Sequence, residues 1–315
     1  MKSKWNYGDI PDLSGRIALV TGANSGLGYH TALGLASAGA RVLLACRSLE
    51  RAERAAAEIR RQLPAAHLTL IELDLADLET VSRCAATVHN ECERLDILVN
   101  NAGLSFFSPK KTAQGFEIHF GVNHLGHFAL TSRLLPLLLA SDGSRVVNVS
   151  SLAHRNARLS FSDLQGKNGF DAYSLSKLAN LLFTLELQKR LSRSSAATIS
   201  VAAHPGLSAT GLISMEKLRE ESNRFVARTA NLVGRVLIPV FGQDAAQGAL
   251  PQLYAAAAPG VIGGDYYGPD GWQEFRGFPR KIRARDHAYD EEAAARLWQV
   301  SSELTGESFA QLASQ

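Results

Sequence analysis

Residues 16–28, Arg-Ile-Ala-Leu-Val-Thr-Gly-Ala-Asn-Ser-Gly-Leu-Gly, decide the fold. The short apolar run 16–21 reads as a buried strand, and a glycine-rich turn follows it directly. Helical spacing then continues to about residue 38. Strand, glycine turn and helix in that order open a βα unit whose helix N-terminus offers unpaired N–H groups.

Outward from this stretch the same alternation repeats. Strands are expected at 41–45, 67–73, 96–100, 145–150 and 198–203, with helices at 49–62, 78–92, 114–139 and 172–191. Apolar strands separated by helices imply a parallel sheet covered on both faces. The expected fold class is α/β, a single doubly wound Rossmann-type domain with a parallel sheet and a helical insertion near its C-terminal part. Its core spans about 14–210, the insertion about 211–250, and an irregular segment with a closing helix at 290–304 fills 251–315. Residues 259–279, rich in glycine, aromatics and proline, read as irregular. Within the insertion the apolar stretch 225–241 reads first as a lid over an apolar pocket. A subunit interface and a membrane-surface helix are the competing readings.

The composition narrows the function classes. The chain has 315 residues, 46% hydrophobic and 20% charged, with a net charge of only +3. Such balance gives no reason to expect a nucleic acid or an anionic membrane as partner. Three cysteines, Cys46, Cys84 and Cys92, form no CxxC pair and fit inert thiols in a reducing compartment. The polar start at 1–12 has no signal-peptide core, and no run of 18 apolar residues occurs. A cytoplasmic protein without an integral membrane segment is expected.

The glycine turn presents Gly22, Asn24, Ser25, Gly26, Leu27 and Gly28 in a G-x-x-x-G-x-G spacing, where backbone can approach a pyrophosphate. The second strand ends in Cys46-Arg47-Ser48 and lacks the carboxylate that would hold an unmodified ribose. Arg47 can fork onto a 2′-phosphate and Ser48 can add a hydrogen bond, which favours NADP(H) over NAD. Asp74 and Leu75 close the third strand within reach of an adenine. Asn101, Ala102 and Gly103 close the fourth, either approaching a ribose or bracing the sheet.

Tyr173 and Lys177 stand four residues apart at the start of a helix, on one face. A fixed ammonium beside a phenol suits general acid–base chemistry. Ser151, just past the fifth strand, could bond a substrate oxygen; the neighbouring Ser150 competes for that part, and Ser151 is the choice. Asn123, amid apolar neighbours, needs partners and could hold a water connecting Lys177 to solvent. His119, His124 and His127 lack accompanying carboxylate or thiol ligands, so no metal is expected.

Taken together, TGANSGLG at 21–28, NNAG at 100–103, Asn123, VNVSS at 147–151, Tyr173-x3-Lys177 and His204-Pro205-Gly206 resemble the short-chain dehydrogenase/reductase family. The resemblance covers roughly residues 16–210. It implies that Ser151 orients the carbonyl or alcohol, Tyr173 is the acid/base, Lys177 lowers the phenol's pKa and holds the nicotinamide ribose, and Asn123 maintains a proton relay. It further implies that Pro205 and Gly206 line the nicotinamide and that Thr210 touches its carboxamide or the pyrophosphate. Association as a homodimer or homotetramer through the helices at 114–139 and 172–191 follows from the same likeness.

ACRS at 45–48, NHLGHF at 123–128, the wide gap from Ser151 to Tyr173 and YSLSKLANLLF at 173–183 are similar to the retinol dehydrogenase and protochlorophyllide reductase-like branch. That branch implies a lipophilic small-molecule substrate. Two departures stand out. The membrane-anchored retinol enzymes carry an N-terminal hydrophobic segment that 1–12 does not contain, and no cysteine follows Tyr173 as in protochlorophyllide reductases. Retinoid and chlorophyll substrates are therefore not implied. The expected reaction is reduction of a carbonyl with NADPH; rival readings are a non-catalytic NADP sensor and a nucleotide-recycling epimerase or dehydratase.

Overall fold

The computed structural model describes residues 4–105, 110–165, 169–207 and 242–312. Eight strands form one sheet in the order β3-β2-β1-β4-β5-β6-β7-β8. They are β1 Ile17–Thr21, β2 Arg41–Cys46, β3 Leu68–Glu72, β4 Ile97–Asn100, β5 Arg145–Val149, β6 Ile199–Ala203, β7 Tyr266–Pro269 and β8 Pro279–Ile282. All pairings are parallel except β7 with β8, where Tyr266 opposes Ile282. The order reverses between β1 and β4, and ligand crevices in open α/β sheets lie at the strand carboxyl ends beside such a switch.

Alternation within each strand feeds two cores. Leu19 of β1 and Leu98 of β4 face one side, packed with α3 (Leu78–Glu91), α5 (Gly126–Leu139) and α6 (Gly169–Arg193). Ala18, Val20, Ile97 and Val99 face the other, with α1 (Gly26–Ser37), α2 (Leu49–Gln62) and α7 (Ala245–Ala257). Period-two burial on both faces is why these strands are apolar throughout.

Three expectations about elements need correction. The helix expected from residue 114 begins later, with α4 at Ile118–Phe120, a π-helical turn at Gly121–Leu125 and then α5. Lys111 bridges Glu117 and the Thr112 amide bonds Phe116, while the Glu117 carboxylate caps the helix through the amides of His119 and Phe120. These local bonds hold 114–117 in a turn. Residues 259–279 are not wholly irregular, because β7 lies inside them. Tyr266 and Tyr267 are both buried, one on each face, but only an existing β6 edge makes so short a run a strand. Finally, α7 crosses the boundary drawn at 250; Asp244 caps it and Leu253 packs onto Gly34 of α1.

The closing helix is α8, Glu291–Thr305. It packs on α6, and Trp298 and Phe309 stack with Phe128 and Phe183, the Trp298–Phe309 centroids lying 4.4 Å apart. Apolar surface of α5 and α6 that the sequence reading assigned to subunit association is thus partly covered within the chain. Most of the expected insertion, including 225–241, lies outside the described residues.

Candidate active site

The turn after β1 is shaped by its glycines. Gly22 has φ 67° and Gly26 has φ 55°, a region that side chains disfavour. A Cβ on Gly28 would overlap the Gly22 carbonyl oxygen, and one on Gly22 would sit 3.1 Å from Ala102. Ser25 caps α1 without a side-chain hydrogen bond and is exposed. Asn24 is half-buried, whereas Leu27 points into the fold. An anionic group fits this cradle by close backbone approach and by the helix N-terminus.

Next to it, Arg47 leaves β2 exposed, and Ser48 caps α2 by accepting from the Arg51 amide at 3.3 Å. The Ser48 O–H remains a donor. Asp74 accepts from the Ala76 amide at 3.0 Å, and the Leu75 side chain and carbonyl pack under Gly126. In the NNAG segment the side-chain amides brace the sheet: Asn101 donates to the Thr21 carbonyl at 2.8 Å, and Asn100 bonds Thr131 and Asn148. Of the two roles considered for Asn101, this bracing is the one visible in its side chain. Ala102 and Gly103 supply space. A Cβ on Gly103 would lie 3.3 Å from the Lys177 ammonium and 3.1 Å from Asn123 Oδ1.

The reactive groups converge on the ends of β5 and α6. Ser151 lies where its hydroxyl favours the ionised form of the Tyr173 phenol, and Ser151 accepts from the Ala153 amide at 3.2 Å. Ser150 turns the other way and donates to the Lys177 carbonyl at 2.8 Å. The neighbouring hydroxyls are therefore separated by strand alternation, and it is Ser151 that acts on the Tyr173 phenol. Lys177, 5% exposed, donates from Nζ to the Val149 carbonyl at 3.1 Å and lies 5.9 Å from the Tyr173 ring centroid. Burial without a facing carboxylate lowers its pKa to about 8.

Burial pushes the Tyr173 phenol up, the Ser151 hydroxyl pulls it down, and the net direction is upward.

Asn123 is fully buried on the π-helical turn. Its side chain donates to the Leu104 carbonyl and the Ser176 hydroxyl, both at 2.9 Å, and accepts from the Leu104 amide at 2.7 Å. It fastens the loop after β4 to α6. Each nearby histidine is likewise committed: His119 to Glu117, His124 to Ser301, and His127 to Thr21 and the Asn123 carbonyl. Pro205 and Gly206 follow β6 at the same sheet edge, and Thr210 lies outside the described residues.

Sequence reasoning missed the groups that steady this edge. Gln252 of α7 bonds Asn101 at 3.2 Å; Gln243 bonds the Pro205 carbonyl at 2.8 Å; Glu274 bonds His204 at 3.0 Å. None of Gln252, Gln243 and Glu274 stood in a quoted motif; they come from distant segments whose spacing carries no signal.

A dinucleotide cradle at the switch point beside a Ser–Tyr–Lys cluster defines a class, and comparison with known proteins agrees. The family model described as short chain dehydrogenase matches residues 16–221, so the chain belongs to the short-chain dehydrogenase/reductase family of oxidoreductases. It lies on the retinol dehydrogenase-like branch: human (Homo sapiens) retinol dehydrogenase 12 is 40% identical over 299 residues, covering 93% of this chain and 87% of that protein. Among solved structures, an uncharacterized protein from Mycobacterium paratuberculosis aligns with TM-score 0.77 and 37% identity over 98% of this chain and 99% of that one. The Pseudomonas aeruginosa RhlG/NADP active-site complex aligns with TM-score 0.61 and 29% identity over 81% and 94%. Among the described residues, no helix is long and apolar enough to cross a membrane.

Proposed function

We propose that this chain is an NADP(H)-dependent oxidoreductase that interconverts a carbonyl and an alcohol on a lipophilic small molecule, with Tyr173 exchanging the proton. The observation that carries the reading is the convergence of Ser151, Tyr173 and the buried Lys177 at the carboxyl edge of the sheet, with Lys177 Nζ bonded to the Val149 carbonyl and 5.9 Å from the Tyr173 ring centroid. A bound nicotinamide supplies the hydride. Gly22, Asn24, Ser25, Gly26, Leu27 and Gly28 would hold the pyrophosphate, Arg47 and Ser48 the 2′-phosphate, and Asp74 and Leu75 the adenine. Asn101, Ala102 and Gly103 would pass along the ribose, Lys177 would donate to its hydroxyls, and Pro205 and Gly206 would border the nicotinamide, the part that the family likeness also assigns to Thr210. The NADP of the RhlG complex supports this choice of coenzyme.

Ser151 donates to the substrate oxygen and polarises it. An upward-shifted phenol is protonated at neutral pH, the state needed to deliver a proton to a carbonyl oxygen during reduction. Solvent then reprotonates Tyr173. The half-exposed Phe170, its ring 6.4 Å from that of Tyr173, gives the entrance an apolar wall, and the name of the retinol dehydrogenase relative fits an apolar alcohol or aldehyde.

The test is NADPH oxidation at 340 nm against a panel of lipophilic aldehydes and ketones, with NADH and Tyr173→Phe as controls. Turnover with NADPH should fall about 1,000-fold in Tyr173→Phe while nucleotide affinity stays within about threefold. Tight NADPH binding with no turnover across the panel would instead indicate a nucleotide sensor.

A further inference from the structure

We propose that Glu274 is a positioning residue that fixes the turn carrying Ser151 against the turn carrying Pro205 and Gly206; the inference rests on the reading of those turns as the reacting end of the site. The Glu274 Oε2 atom forms an ion pair with Arg155 at 2.7 Å and accepts a hydrogen bond from His204 Nε2 at 3.0 Å. Arg155 lies on the 3-10 turn Leu152–Asn156 that Ser151 caps. His204 directly precedes Pro205. One carboxylate oxygen therefore joins the segments that follow β5 and β6.

The connection reaches the backbone through a tautomer. His204 Nδ1 accepts from the Gly206 amide at 3.1 Å, so the proton must reside on Nε2, where Glu274 receives it. Without that carboxylate the proton could move to Nδ1 and face the Gly206 N–H, donor against donor. Gly206 has little freedom elsewhere: its φ is 66°, a Cβ there would overlap the Phe275 carbonyl, and the Leu207 amide bonds that carbonyl at 2.8 Å.

The chain accepts an unfavourable backbone to place this group. Gln273 and Glu274 are consecutive non-glycine residues at φ 52° and φ 60°, in the left-handed region. Arg155 and Glu274 are mostly buried and His204 completely so, while Arg280 adds positive charge on the Glu274 side and Tyr266 and His154 close the cluster. These partners hold the Glu274 carboxyl below its ordinary range against the opposing effect of burial.

Glu274→Ala, Glu274→Gln and Arg155→Met test this on the full-length protein by hydrogen–deuterium exchange and by steady-state kinetics with NADPH and an active aldehyde. In Glu274→Ala, exchange at Gly206 and Leu207 should rise about tenfold or more while β5 amides stay protected, and kcat should fall roughly 10- to 100-fold with the KM for NADPH unchanged. Glu274→Gln, which keeps an acceptor oxygen, should recover most of both effects. Arg155→Met combined with Glu274→Ala should be no worse than Glu274→Ala alone. Unchanged Gly206 exchange in Glu274→Ala would overturn the proposal, as would an equal rise across β1 and β5, which marks general destabilisation. The exchange result decides the positioning role even if the wild type turns over no substrate, so failure of the oxidoreductase reading stays distinguishable.

Discussion

The turn after β1 and the turn after β6 both bring a glycine with positive φ to the carboxyl edge of the same sheet, yet they are built differently. Gly22 and Gly28 fit against each other within seven residues of chain, and the turn's shape follows from missing side chains. Gly206 is held by His204, Gln243, Glu274 and Phe275, some about 70 residues away in sequence. The first turn is shaped mainly by its own closely fitted glycines, with Asn101 and Ala102 packed against it, and the second by long-range polar contacts. In the proposed reading, the first would anchor the nucleotide and the second would border the reacting end.

The largest effect expected from breaking this comparison is at the local turn. Gly28→Ala forces a methyl into the Gly22 carbonyl, so NADPH affinity measured by fluorescence titration should fall more than about 100-fold, with a stability loss of about 1–3 kcal/mol. Gly206→Ala should keep NADPH affinity within about tenfold while lowering kcat, because its conflict is with Phe275 at the other end. Equal loss of affinity in both variants would remove the distinction between the two ends.

A smaller effect concerns charge. Lys177 is held at about 8 by burial, below its ordinary 10.5. The unfolded chain therefore binds more protons between those values, so the cost of burying the ammonium is fully present below pH 8 and is relieved as pH rises toward 10.5. Urea unfolding should show wild type gaining on the order of 2–3 kcal/mol over that window relative to Lys177→Met. Parallel pH profiles for the two proteins would show that Lys177 is not desolvated as its surroundings imply.

The smallest effect lies at the exposed Arg47. Arg47→Ala should reduce the kcat/KM preference for NADPH over NADH by about tenfold, the worth of one charge-assisted hydrogen bond, without changing the melting temperature. A change in kcat with both coenzymes would instead connect Arg47 to the reacting end.

Much of the site is legible in sequence because its parts are local. Strand–glycine–helix order predicts the phosphate turn, and the four-residue step from Tyr173 to Lys177 places both on one face of α6. Ser151 was the sequence choice over Ser150, but alternation says only that the two diverge; the packing of β5 and α6 turns Ser150 onto the Lys177 carbonyl. Residues 114–117 illustrate the reverse failure: their composition allows helix, but the Thr112 and Glu117 bonds hold a turn. The strand at Tyr266–Pro269 was illegible because four residues gain strand geometry only from the β6 and β8 edges.

By itself, the sequence determined the parallel α/β order, the glycine turn and the shared helix face of Tyr173 and Lys177, since backbone sterics and helical spacing act over a few residues. Tertiary structure alone decided the turning of Ser150 onto the Lys177 carbonyl, the upward direction of the Tyr173 phenol's pKa, and the Glu274 bridge across two turns. Those features depend on burial and on contacts between distant segments, and both exist only once the sheet has assembled.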